Sequence, residues 1–457
     1  MSSAQPVDLP PASRTAERAA AAARRAAFPF RFPRDERLIG GAYPVAENAR
    51  RLLRFFYLAR RLGGALGSWT LAIADFEVKV ETGRHIFWHY DAAARLRQRL
   101  TEQEQRLAQI DAHRDADIDR LIDELLCARD VPEMLVGLHV VAGRALISAM
   151  RHHLETTCPV ADAPTVRVLK QCLVDYEPML AWARAAIAAY VAGGVDEAQL
   201  ERWRVHGERV LAAIGGVTGG QDARPTMPAL RGAERPYARG TIPMRDARFT
   251  TFTKTGDYDV NDGRRLEHGY AHERLHFLRS QRDEVDAIEA FGTFLWDIRL
   301  RDFDAEYHLA RITWDETRHT EIGHRTLQMM GYDPFELPNR LTSSTCRGPM
   351  EAAFAMAEIN LFGEVGVMKT IPGLIEQARA HDDLPVAHVL DYIRSDERTH
   401  VKKGQPILKA MTDLDMPALE LRTRELFTEC LIALGAMQPG EPGFVMSRDD
   451  IERLVGE

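Results

Sequence analysis

The sequence predicts an all-α protein, with a four-helix bundle in its C-terminal half and an additional helical bundle before it. Three observations carry this prediction. Apolar residues recur at three- and four-residue steps from about Ala46 to Gly215 and again from about His268 to Leu434, the period of an amphipathic helix. Alternating Val/Ile/Thr runs are nearly absent from the first of these stretches. In the second, the long helices are joined by short connections, which pair them as antiparallel hairpins.

Composition narrows the class. The chain has 457 residues, 45% hydrophobic and 28% charged, which suits an ordinary globular protein of two or three structural units. A net charge of −8 leaves no global electrostatic footprint for nucleic acid. The five cysteines are scattered, with no CxxC pair, as expected of inert thiols in a reducing compartment. No run approaches the ~18–20 uncharged apolar residues that span a bilayer. The richest candidate, Leu180 to Val191, carries Arg184. The expectation is a soluble cytoplasmic protein with no membrane and no nucleic-acid partner.

Along the chain, residues 1–40 read as a disordered or extended tail of Pro, Ala and Arg. Residues 41–215 read as the N-terminal helical domain. The Gly- and Pro-punctuated stretch 216–267 reads as a linker or long loop. Residues 268–435 form the four-helix unit, and 436–457 a C-terminal extension. The four helices are expected at about Ala271–Arg299, Asp304–Met330, Met350–Ile371 (interrupted at Pro372-Gly373) and Pro385–Met411.

The second of these helices contains Asp315-Glu316-Thr-Arg-His319 and the fourth Asp396-Glu397-Arg-Thr-His400. A Glu and a His three residues apart lie about 60° apart on a helix, so both can address one ion. One Glu-x-x-His arises easily by chance; two, each preceded by Asp, do not. A shift of 81 residues, taking Glu316 to Glu397, also superposes Leu309 on Leu390, Ile312 on Ile393, Gly323 on Gly404, Leu327 on Leu408 and Met330 on Met411. Each carboxylate therefore sits in an apolar, core-facing stripe. There an unpaired charge costs several kcal/mol or a large pKa shift, and a bound cation removes that penalty.

Two such helices supply half a site each, so the first and third helices should each add a carboxylate. In an antiparallel hairpin, residues equidistant from the turn lie level. That places Glu284 opposite Glu316 and Glu364 opposite Glu397, with Glu289 and Glu358 as alternatives. Four carboxylates and two imidazoles without a thiolate suit iron or manganese. Four negative charges nearly balance two divalent cations. In the N-terminal half, Glu81, His85 and His89 also share a helical spacing, but no second Glu-x-x-His completes them; they read as packing residues without metal. Trp314 is expected to serve packing, and Glu321 and His324 to lie on the surface.

The doubled Asp-Glu-x-x-His pattern resembles the ferritin-like di-iron carboxylate superfamily, in which two helices give a Glu each and two more give Glu-x-x-His. It is similar to the metal motifs of bacterial multicomponent monooxygenases and ribonucleotide reductase small subunits, and more loosely to uncharacterised bacterial ferritin-like proteins. The resemblance covers about His268 to Met411. It implies that Asp315 and Asp396 accept from metal-bound His400 and His319. Gly323 stands where the reductase would carry a radical-forming tyrosine, which argues against that role.

The resemblance implies a non-haem di-iron or Mn/Fe oxidase or oxygenase that uses O₂ and a small organic substrate. Glu284, Glu316, His319, Glu364, Glu397 and His400 would be its metal-binding and catalytic residues. Gly323, Gly363 and Gly366 were candidates for leaving room beside the metals. Alternatives are a ferroxidase or metal-handling protein and, less favoured by the acidic balance, an RNA-modifying hydroxylase. Nothing reads as a flavin or nicotinamide motif, so electrons would come from a partner protein or the substrate; a homodimer is a compatible assembly.

Overall fold

The computed structural model describes residues 11–27, 38–220, 223–253 and 269–436. The chain is mostly helical, and among the described residues the only strands are two-residue segments, Thr251–Phe252 paired in parallel with Asn339–Arg340. The helices are α1 (Pro11–Ala27), α2 (Val45–Trp69), α3 (Phe76–Thr101), α4 (Leu107–Ala112), α5 (Ala116–Leu126), α6 (Val131–Leu135), α7 (Arg144–Thr156), α8 (Ala163–Ala192) and α9 (Glu197–Ala213). They continue with α10 (Arg231–Glu234), α11 (Tyr270–Arg282), α12 (Val285–Asp297), α13 (Phe303–Met329) and α14 (Thr342–Arg347), then α15 (Ala352–Glu358), α16 (Glu364–Ala380), α17 (Leu384–Met411) and α18 (Met416–Ala433). Two π-helical turns, Val136–Gly143 and Ile359–Gly363, join α6 to α7 and α15 to α16.

Local chemistry sets several of these limits. Asp302 caps α13 by accepting from the Ala305 amide at 2.9 Å, and Asp383 caps α17 through Val386. Both turns that close the hairpins carry a residue at positive φ, Leu300 and Asp382. Helix α13 stops at Gly331, whose φ of 85° suits a residue without Cβ.

Three expectations change. The first C-terminal rod is two helices, because the chain breaks at Asp283-Glu284. At this break the Asp283 carboxylate accepts from Arg282 and from Asn339 Nδ2 at 2.8 Å. Pro372 interrupts nothing: α16 runs through it, as α8 does through Pro178 and α17 through Pro406. A proline costs one backbone hydrogen bond and some bending, which long packed helices absorb. The stretch read as an extended tail is helical over Pro11–Ala27, in keeping with its Ala, Arg and Glu content. Residues 1–10, 28–37, 254–268 and 437–457, parts of the expected tail, linker and extension, lie outside the described residues.

Four rods pack around a common centre: α11–α12, α13, α15–α16 with its π turn, and α17. The α2–α3 hairpin packs on the outer side of α12 and α13. The largest cluster of buried apolar residues runs from Ala49 to Leu419, so N-terminal helices and metal-motif helices share a core. Their contact includes a buried Arg60–Glu306 pair at 2.7 Å and a close approach of α2 to α12 at Gly67 and Gly292. The described part of 216–267 is strapped to this core by Arg239–Asp297 at 2.8 Å and by Tyr237 donating to Ser68. Among the described residues, one helical stretch, Val131–Thr156, is long and apolar enough to cross a membrane, and 67% of its most apolar window is buried in the fold.

Candidate metal centre

The doubled motif meets in the middle of the four rods. Helix α13 brings Glu316 and His319, α17 brings Glu397 and His400, the break between α11 and α12 brings Glu284, and the start of α16 brings Glu364. Two overlapping groups result, Glu284–Glu316–His319–Glu397 and Glu316–Glu364–Glu397–His400. Within each, one ligand atom per residue lies within 4.8 Å of the others. Glu316 and Glu397 belong to both, as bridging carboxylates would.

The two halves mirror each other. His319 Nδ1 lies 3.1 Å from Glu284, 3.4 Å from Glu316 and 3.6 Å from Glu397. His400 Nδ1 lies 3.3 Å from Glu316, 3.4 Å from Glu397 and 3.8 Å from Glu364. Each imidazole turns its far nitrogen to the aspartate of the opposite motif: His319 Nε2 to Asp396 at 3.3 Å and His400 Nε2 to Asp315 at 3.4 Å. With Nε2 turned to an aspartate, Nδ1 is the nitrogen that faces the carboxylates, and its lone pair is the one a metal ion would take. The expected pairing of Asp315 with His400 and Asp396 with His319 is the one observed.

Burial makes the arrangement costly without a cation. Glu284 Oε2, His319 Nδ1, Glu364 Oε1, Glu397 Oε2 and His400 Nδ1 are all buried and make no well-directed hydrogen bond, although they crowd together. Such a converging set of donors and acceptors could hold a metal ion. Burial and the neighbouring Glu316 charge push Glu284 well above the ordinary carboxylate range. Burial, helped by Glu397 and Glu316 against the pull of His400, pushes Glu364 up to about 8. Burial also works to raise Glu316, but the two imidazoles hold it down at about 2. Burial would lower both histidines, yet Asp396, Glu284 and Glu316 raise His319, and Asp315, Glu316 and Glu397 raise His400, well above the usual imidazole range.

The alternatives find other partners. Glu289 accepts from Lys79 and Arg245, and Glu358 from Arg347 at 2.6 Å; neither belongs to either group. Gly323 does not leave room for a ligand: a Cβ there would overlap the Arg282 amide nitrogen, so its role is to let α11 lie against α13. Its counterpart Gly404 likewise faces the Asn360 side chain. Gly366 meets nothing within 4 Å, and Gly363 only a carbonyl at 3.9 Å. Trp314 stacks on Phe87 at 4.8 Å, the packing role expected; Glu321 and His324, expected at the surface, are half-buried, the first paired with Arg84 and the second stacked on Phe76.

Sequence reasoning missed three contributors. Asn360, in the π turn, donates to Glu364 Oε2 at 2.8 Å and to the His400 carbonyl at 3.2 Å, leaving Glu364 Oε1 free. Arg311 and Arg318 flank Asp315 at 2.8 and 2.6 Å, and Arg318 reaches Asp396 at 3.0 Å. They pair with the aspartates from the outer side; against the upward push of burial, His400 and Arg311 hold Asp315 below the ordinary carboxylate range. The i+3 and i−4 spacing of the two arginines from Asp315 was the available signal; Asn360 had none, because a π turn is not legible in the local pattern.

The chain matches no known family model, and no curated protein or solved structure matches it.

Proposed function

We propose that the chain is a dimetal-carboxylate oxidoreductase built on a ferritin-like four-helix bundle, a non-haem oxidase or oxygenase that uses O₂ and a small organic substrate. The observation that supports this most is the pair of overlapping Glu/His groups with their converging buried atoms. Glu284 and His319 would hold one ion, Glu364 and His400 the other, with Glu316 and Glu397 shared between them. Oxygen and imidazole donors without thiolate favour iron or a manganese–iron pair. When bound, the ions supply the one-electron chemistry with dioxygen that side chains lack.

The chain's own residues do the rest. Asp315 and Asp396 would orient the imidazoles, and Arg311 and Arg318 pair with those aspartates from the outer side. Asn360 fixes one oxygen of Glu364 and leaves the other free. Apolar residues above and below the motifs, among them Leu309, Ile312, Leu390 and Ile393, are buried and exclude water. With no cofactor-binding motif, electrons would arrive from a partner protein or from the substrate.

The test is anaerobic loading with Fe(II), alone and with Mn(II), followed by elemental analysis and oxygen-electrode measurements. Two ions per chain and O₂ uptake by the reduced protein are expected. Fewer than about one ion per chain would overturn the site. Full loading without O₂ uptake would overturn the oxidase reading alone, and a hollow, iron-filled cage would move the function to metal storage.

A further inference from the structure

Five cysteines are scattered through the sequence, and folding brings two of them together. Cys346 lies in α14 and is 1% exposed; Cys430 lies in the last turn of α18 and is half-buried. The two helices pack against each other. Both thiols border one small apolar patch with Phe427 and Leu431, distinct from the main core. There the two thiols lie close enough to influence each other. The other three cysteines have different surroundings. Cys127 donates to the Asp123 carbonyl at 3.3 Å and Cys158 to the Leu38 carbonyl at 2.9 Å. Cys172 is buried, with its thiol pushed up to about 12.

We propose that Cys346 and Cys430 are a redox-active dithiol, which hydrogen peroxide or another hydroperoxide converts to an intramolecular disulfide joining α14 to α18. The roles of the two sulfurs differ. Cys430 is the more exposed, and the neighbouring Cys346 draws its thiol down toward ionisation. Cys346 is buried, and the neighbouring Cys430 together with that burial makes it hold its proton. Cys430 is therefore the attacking sulfur and Cys346 the resolving one.

In the first step the Cys430 thiolate attacks the peroxide. The O–O bond breaks, Cys430 becomes a sulfenic acid, and the hydroxide released is protonated to water. In the second step the Cys346 sulfur displaces hydroxide from the Cys430 sulfur. The S–S bond forms, Cys346 loses its proton, and a second water leaves. The two sulfurs give up two electrons and the peroxide accepts them.

The position gives the bond a consequence. Helix α18 packs across α15, and Phe362, in the π turn just before Glu364, borders the same apolar patch as the two thiols. A disulfide would pin the outer helix over the segment that leads into Glu364. The inference does not depend on whether the centre binds metal.

The experiment uses the full-length, metal-free protein in chelator, treated with a small excess of hydrogen peroxide, alkylated under denaturing conditions and mapped as unreduced peptides. A Cys346–Cys430 linked peptide in a monomeric chain is expected, with Cys158 and Cys172 recovered as alkylated thiols. Cys346→Ser should leave a sulfenic acid on Cys430 that dimedone captures; Cys430→Ser should leave Cys346 a free thiol. Recovery of both cysteines alkylated in the treated wild type, or their capture in bonds between chains, would overturn the proposal. A persistent dimedone-reactive Cys430 in the wild type would do the same.

Discussion

Two regions of the molecule concentrate buried histidines beside a π turn, and they have opposite chemistry. In the C-terminal half, His319 and His400 face four carboxylates and back onto two aspartates. In the N-terminal half, His85 Nδ1 lies 3.1 Å from His139 Nε2, and His89 Nδ1 lies 3.2 Å from the Tyr176 hydroxyl. Glu81 is the nearest acid, 3.7 Å from His85. Burial without compensating charge drives His85 well below its ordinary value, His89 to about 3 and His139 to about 4. The same residue type at similar depth is thus pushed toward the neutral form in one place and, with no metal bound, toward protonation in the other. Carboxylate density, more than the histidines, marks the candidate metal centre. Among the described residues no group able to hold a metal includes His85, His89 or His139.

The largest expected effect comes from a shared carboxylate. Glu316→Gln removes a ligand from both halves and should drop metal content from two ions per chain to below about half an ion, read by elemental analysis. His139→Leu, the N-terminal counterpart, should leave metal content unchanged; loss of metal there would break the distinction. Next is the outer row. Asp315→Asn and Asp396→Asn should each weaken metal binding about 10–100-fold. Because the pairing crosses between motifs, Asp315→Asn should weaken the His400 half first, and stepwise metal titration would show two unequal sites.

A third effect is on stability against pH, and its sign differs between the regions. The N-terminal histidines have folded values below 6.5, so below that pH the unfolded chain binds more protons and stability falls on acidification. Each contributes up to about 1.4 kcal/mol per pH unit. His319 and His400 in the metal-free centre have folded values above 6.5, so their contribution is full below that pH and is lost as pH rises through the folded values. Urea unfolding of the metal-free protein between about pH 7 and 5 should show a slope that His89→Phe reduces; an unchanged slope would remove His89 from the account. The smallest effect is steric. Gly323→Ala forces α11 away from α13 and should cost about 1–3 kcal/mol and disturb Glu284, whereas Gly366→Ala, facing open space, should be near neutral by thermal melting.

Much of the centre was legible because helices turn their repeats into geometry. The spacing of Glu316 and His319, its recurrence at Glu397 and His400, and the levels of Glu284 and Glu364 across short turns all follow from a fixed rise and rotation per residue. The choice between Glu364 and Glu358, and between Glu284 and Glu289, could not be completed that way. It depends on where Arg347, on the preceding helix, reaches for Glu358, and where Lys79 and Arg245, from segments remote in sequence, reach for Glu289.

Helical class, motif spacing and the pairing of neighbouring rods were properties of the chain alone, since each depends on residues a few turns apart. Three things waited for folding: the shared core of the α2–α3 hairpin with α12 and α13, the break that turns Glu284 inward, and the meeting of Cys346 with Cys430. Each depends on contacts between distant segments. Local periodicity carries no record of these, because packing energy is shared by surfaces that do not exist until the chain has folded.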